Sequence, residues 1–206
     1  MKNLKSSSWF IYSAKRLSKY NIDAIQILSQ ETTYVKIKST ISNYWTNFMR
    51  TEAATKTSLR YLDPERCDFQ SPHSIWTEAR SDPAEIKKAI QKARLLTGTY
   101  LLQSNKAVFN QHQTVATCPL CNTAAEDREH FILECPTLQK IRGKHFIDIT
   151  RIVPTFDTLN HDQQLRVILD SHIYPFMECN RADLEASCRS FLFSIHCKRT
   201  HILNGS

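Results

Sequence analysis

Within eighteen residues the chain reads Cys118-Pro-Leu-Cys121, then eight residues, His130, four residues, and Cys135. Three thiols and one imidazole are the donors that a tetrahedral structural zinc ion takes, and Cys3His is a common set. A Cys-x-x-Cys turn brings two sulfurs to one point. The other two donors are expected from a short helix that Glu126-Asp127-Arg128-Glu129 opens and Pro136 stops. Positions five apart do not align on an α-helix, so its last turn must tighten or open to bring Cys135 round. Four protein donors fill the shell and leave no open position, which zinc catalysis requires. The expectation is one structural Zn2+ held by Cys118, Cys121, His130 and Cys135, stapling a fold that could not bury enough core alone.

The remaining cysteines fit this picture. Seven cysteines is an odd number, which argues against a fully paired disulfide framework. Lys2 and Lys5 precede an apolar stretch of only four residues, Trp9 to Tyr12, too short for a secretory signal of roughly 7–15. No apolar run approaches the roughly 18 residues of a membrane span. A reducing compartment, nucleus or cytoplasm, is the expected address. Cys188, His196, Cys197 and His201 suggest a second metal group, but Cys188 lies on an apolar helical stripe and His196 and Cys197 face apart. They are read as core and surface residues. Cys67 with His73, and Cys179, stand alone.

The rest of the chain reads as mainly α. With 3 glycines in 206 residues, helix is favoured over a turn-rich β fold. Leu17, Tyr20, Ala24, Ile27 and Leu28 share one helix face over 14–28, interrupted by Asn21 and Asp23. Ile41, Tyr44, Trp45, Phe48 and Met49 have the spacing of a buried stripe, in a helix that could run on to Leu62 before Pro64. Residues 63–83 hold three prolines and read as a loop or linker. Asp82 caps the next helix, with Pro83 at its first position and Glu85 placed to reach back. Ile86, Ala89, Ile90, Ala93 and Leu96 form its apolar face, and Gly98 ends it. Shorter helices are expected over 101–110, 138–149 and 162–169. A long one over 181–202 carries the stripe Leu184, Cys188, Phe191, Leu192, Ile195 and Ile202. The expected organisation is a helical region 1–63, a linker 64–82, a helical zinc-binding domain 83–150 and C-terminal helices 151–206.

Charge divides the chain. Residues 1–103 carry 16 Lys/Arg against 9 Asp/Glu, whereas 104–206 carry 11 of each, so the net +7 lies in the first half. A basic surface attracts phosphate backbones. The metal segment itself is acidic, with Glu126, Asp127, Glu129 and Glu134 against Arg128. Three thiolates around Zn2+ add a further net negative charge. Phosphate contacts are therefore expected elsewhere: Lys87, Lys88, Lys92 and Arg94 on one helix, Lys140, Arg142 and Lys144 on another. Tyr44, Trp45 and Phe48 read as core, which leaves Trp76 in the loop as the better base-stacking candidate.

The stretches Lys92 to Tyr100, Leu101 to Gln111, Thr117 to Cys121 and Glu129 to Pro136 resemble the C-terminal zinc-binding region of non-LTR retrotransposon reverse transcriptases. There a helix ending in Arg-x-x-Thr-Gly, here Arg94 to Gly98, precedes Cys-x2-Cys and Glu-His-x4-Cys-Pro. The resemblance is strong over residues 86–142, weaker upstream and faint after 150. Eight residues between Cys121 and His130, in place of four, separate it from the retroviral nucleocapsid knuckle. The resemblance implies a tail that follows a polymerase and helps hold template RNA or target DNA.

No Asp-Asp pair occurs anywhere, so the polymerase carboxylates are missing, and no RNase H set stands out. Gly-x-Ser-x-Gly and glycine-rich phosphate loops are also absent. The expected function is a non-catalytic, zinc-stabilised accessory domain that binds RNA or DNA through basic helices. A protein–protein interaction module and an unselected transposon remnant are the alternatives.

Overall fold

The computed structural model describes residues 9–30, 32–79, 81–110, 115–171 and 181–205. Lys2, Lys5 and Cys179 lie outside the described residues. The described residues are 70% helical. Among the described residues there is no strand, only an isolated bridge between Thr117 and Ala125. No helix among them is long and apolar enough to cross a membrane.

Two compact units form. The first comprises residues 1–52 and 65–71, the second 53–64 and 72–206. The first unit holds α1 (Trp9–Ser18), α2 (Ala24–Leu28) and most of α3 (Tyr34–Thr55). The break between α1 and α2 falls where polar residues interrupt the apolar pattern. Asn21 turns the backbone with φ 55, and Asp23 caps α2 by accepting from the Ile25 N–H at 2.8 Å. α3 begins earlier than the apolar spacing indicates and stops at Thr55, short of Leu62.

The aromatic stripe of α3 is not a sealed core. Phe48 is 47% exposed, and Tyr44 and Trp45 are half-buried. They pack edge to face at 5.0–5.6 Å with Tyr20 and one another, and Lys19 Nζ lies 4.5 Å from the Trp45 ring centroid.

The second unit is built on α9 (Arg181–Asn204), which packs against α5 (Pro83–Leu96) and α7 (Gln139–Ile152). Around these lie α4 (Ser74–Thr77), α6 (Gln103–Phe109) and α8 (His161–Leu169). One continuous core runs from Tyr61 and Ile75 through Leu95, Phe131, Leu138 and Ile149 to Leu165, Phe191 and Ile195. The expected boundary at 150/151 is therefore not a packing boundary. The expected linker 64–82 is not free either, because Ile75 and Ala79 are buried in this core.

α5 starts as its sequence indicates, with Asp82 accepting from the Ala84 N–H at 2.8 Å and Pro83 in the first turn. Glu85 does not reach back to the cap. It pairs with Lys88 at 2.6 Å and with Arg189 at 3.2 Å. Gly98 ends the helix in the left-handed region with φ +72, where an added Cβ would stand 3.1 Å from Ser58 Cβ.

Candidate metal centre

Two short backbone devices bring the four donors together. In the first, the bridge between Thr117 and Ala125 closes a small loop. Within it the Cys118 N–H donates to Ala124 O at 2.7 Å and the Asn122 N–H to Cys118 O at 2.8 Å. Asn122 has φ 57, a conformation that asparagine tolerates, and it reverses the chain directly after Cys121.

The second device resolves the five-residue spacing. Asp127 accepts the His130 N–H at 2.8 Å and so opens the turn. Residues His130–Glu134 then form a π-turn, in which the Cys135 N–H donates to His130 O at 2.7 Å. A π-turn closes over five residues where an α-turn closes over four, so positions 130 and 135 stack on one face. Pro136 stops the turn, and Thr137 Oγ1 donates to Leu120 O at 2.9 Å, tying the two devices together.

The result is a cluster whose four donor atoms all lie within 4.8 Å of one another. Cys118 Sγ stands 3.9 Å from Cys135 Sγ, and Cys121 Sγ stands 3.3 Å from His130 Nε2. A tetrahedral ion bonded at about 2.3 Å to sulfur and about 2.0 Å to nitrogen needs S···S of about 3.8 Å and S···N of about 3.5 Å. The Cys118–Cys135 and Cys121–His130 separations lie close to these values, and the group could hold a metal ion.

Burial pushes the Cys118 thiol up to about 12, with Cys135 nearby adding to the effect. Burial also raises Cys135. For Cys121 burial is outweighed by hydrogen bonds from Thr123, Cys118 and His130, which bring it down to about 6. Without a cation the buried thiols keep their protons, and binding a metal must release them.

The surroundings hold the donors in place. His130 presents Nε2 to Cys121 Sγ, and the Glu134 carboxylate lies 3.7 Å from its Nδ1, beyond hydrogen-bond length. His161, at the start of α8, pairs with Glu129 at 2.9 Å and Glu134 at 3.5 Å. These three form a second group of potential donors, exposed at Glu134 and His161 and half-buried at Glu129.

Arg142 is 9% exposed and donates to Ile132 O at 3.3 Å and Cys135 O at 3.0 Å. These carbonyls stand free where the π-turn ends, so Arg142 is a positioning residue and not a surface cation for phosphate. Lys92 is also corrected: it is fully buried and pairs with Glu185 at 2.7 Å. Lys88 is tied to Glu85. Lys87, Arg94, Lys140 and Lys144 are exposed.

The acidic run is less acidic than its sequence. Glu126 is fully buried and takes two charge-assisted bonds from Arg199, at 2.7 and 2.8 Å, plus the Gln103 N–H at 2.9 Å. Arg128 donates to Ser58 O, Leu95 O and Leu96 O, covering the C-terminal carbonyls of α5. Asp127, three residues before His130, carries a cap signal readable in sequence. Arg142, Glu126 and Arg199 act on partners that no local spacing reveals.

Cys188, His196, Cys197 and His201, read from the sequence as core and surface residues, are not among the grouped donors. Cys188 is buried with Sγ 3.8 Å from Val167 O, Cys197 is exposed, and His196 Nδ1 meets the Tyr100 hydroxyl at 2.8 Å. Trp76, the stacking candidate, is 43% exposed on α4. Comparison with family models, curated proteins and solved structures finds no match for this chain.

Proposed function

We propose that the Cys118–Cys121–His130–Cys135 cluster binds one structural Zn2+ and that the domain it staples is a non-catalytic binder of RNA or DNA. The observation that carries the metal reading is the π-turn, which brings a histidine and a cysteine five residues apart onto one face opposite a Cys-x-x-Cys turn. Three sulfurs and one imidazole, closed by protein on all four sides, suit zinc and leave no position for a reacting water.

The nucleic-acid reading rests on the exposed cations. Lys87 and Arg94 lie seven positions apart on one face of α5, and Lys140 and Lys144 lie four apart on α7. The metal loop positions the helices that follow it. The likeness of residues 86–142 to the zinc-binding tail of non-LTR retrotransposon reverse transcriptases supports the same reading, in which the domain works beside a polymerase supplied by another segment or chain.

The test is binding of the zinc-loaded chain to single-stranded RNA and duplex DNA across a salt series. Affinity that falls steeply between about 50 and 200 mM salt fits counterion release from phosphates. No binding at low salt removes the nucleic-acid reading.

One observation favours a protein partner instead: the first unit exposes Trp9 at 78%, Tyr34 at 77% and Val35 at 74%. Docking through such a surface would respond little to salt.

A further inference from the structure

Between α5 and α9 lies a cleft of about 430 Å3 lined by Gln91, Arg94, Thr99, Tyr100, Leu101, His196 and Arg199. Among the described residues no carboxylate lines it. Arg199 is already neutralised by Glu126 beneath it, whereas Arg94 is exposed at the rim. From Cys188 to Asn204, α9 carries no acidic residue at all.

The helix end beside the cleft has been made tolerant of an anion. The carbonyls that end α5 would repel negative charge, but they are occupied. Arg128 covers Leu95 O and Leu96 O, and the N–H groups of Thr99 and Tyr100 donate to Arg94 O at 2.9 and 3.1 Å.

The polar groups of the cleft are held in place. His196 is fixed by the Tyr100 hydroxyl on Nδ1 at 2.8 Å. With Tyr100 donating, Nε2 carries the imidazole proton and is free to donate to an anion. Thr99 Oγ1 lies 3.0 Å from Thr97 Oγ1, so a second hydroxyl pair stands at the rim.

Gln91 adds an independent sign of a ligand. Its side-chain Oε1 is buried with no hydrogen-bond partner, and such a group is unfavourable unless something satisfies it. An amide beside a cation and an exposed leucine, Leu101 at 61%, suits a nucleobase edge next to its phosphate. Base edges are free in this way in an unpaired strand.

We infer that this cleft is a binding site for one nucleotide of a single-stranded nucleic acid, its phosphate on Arg94 and His196 and its base toward Gln91 and Leu101. This deepens the nucleic-acid reading above and rests on it for the source of the phosphate. Lys87, on the Arg94 face two turns toward the start of α5, extends the track for a neighbouring phosphate.

The test compares the full zinc-loaded chain with Arg94→Ala and His196→Gln, using a twelve-nucleotide single-stranded RNA across a salt series. In parallel, side-chain NMR of Arg94 and His196 is followed with that RNA and with inorganic phosphate alone. The expected result is several-fold weaker RNA binding in both variants. For Arg94→Ala the slope of log affinity against log salt should also fall by about one. Zinc content should not change, and Arg94 and His196 resonances should move with the RNA.

Unchanged affinity and slope in both variants, with RNA still bound, overturns the site. If the RNA does not bind the unaltered chain, the nucleic-acid reading fails. Movement with inorganic phosphate alone then keeps the cleft as a site for a smaller phosphate ligand, and no movement overturns it as well.

Discussion

The backbone N–H of Cys135 donates to the carbonyl of His130 at 2.7 Å, one residue beyond the reach of an α-helical bond. That extra residue turns two donors that an α-helix would splay into a pair facing one point. The turn is held at one end by Asp127, on the His130 N–H, and at the other by Arg142, on Ile132 O and Cys135 O.

Arg142→Met should therefore damage the metal loop without touching a donor. Losing charge-assisted bonds to two buried carbonyls should cost about 2–3 kcal/mol and weaken metal retention about 10–100-fold. Denaturant melts together with competition against a chromogenic chelator measure both. Unaltered metal affinity would show that the π-turn holds without its guanidinium.

The Glu126–Arg199 pair lies in the core, with partners 73 residues apart. Glu126→Gln leaves a buried guanidinium uncompensated and should destabilise by about 3–5 kcal/mol. Replacing both residues with methionine should recover most of that loss. Urea unfolding of the single and double variants decides it, and a double variant as unstable as the single would contradict the argument.

Gly98→Ala should lower stability by about 1–2 kcal/mol, because φ +72 disfavours a side chain. The Ser58 Cβ contact at 3.1 Å adds to the strain. Gly143→Ala is the control: nothing lies within 4 Å of its Cβ position, and helix propensity favours alanine. The two melting temperatures should move in opposite directions.

Acid should act in two steps. Burial holds His145 and His196 below the usual 6.5, helped by Lys144 at the first and by Arg199 and Arg94 at the second. The unfolded chain thus takes up protons before the folded one, and stability is lost as pH falls below about 6.5. At Glu185 burial is outweighed by Lys92, Ser171 and Arg189, and at Glu85 the Lys88 bond leads. Both carboxyls sit below their usual 4.5, so a second loss begins as pH falls below that value. Histidine NMR titration checks the first step, and urea midpoints measured from pH 7 to 3 check both.

Local signals in the sequence were faithful where the physics is local. Asp82, Pro83 and Gly98 mark α5 because caps and left-handed turns depend on the residue itself. The apolar stripe of α9 is buried from Leu184 to Ile195 because a 3.6-residue period survives any partner. The same helix also buries Glu185, Arg189 and Arg199. Their burial depends on Lys92, Glu85 and Glu126, which lie 73 to 104 residues away. For the same reason Lys92 reads as a surface cation in sequence, whereas Arg142 does so because its partners, Ile132 O and Cys135 O, are backbone carbonyls that no side-chain pattern marks. The four cysteine and histidine donors were legible because they are consecutive in one short segment, and the need for an unusual last turn followed from their spacing alone.

The central claim is a four-donor zinc site that holds the fold. Its most direct test is native mass spectrometry of the purified chain beside Cys121→Ser, with Cys197→Ser, an exposed cysteine outside the cluster, as the control. The account predicts one zinc per chain in the parent and in Cys197→Ser, and its loss in Cys121→Ser with a collapse of cooperative unfolding. A parent chain that folds cooperatively with no zinc, or a Cys121→Ser chain that keeps it fully, would contradict it.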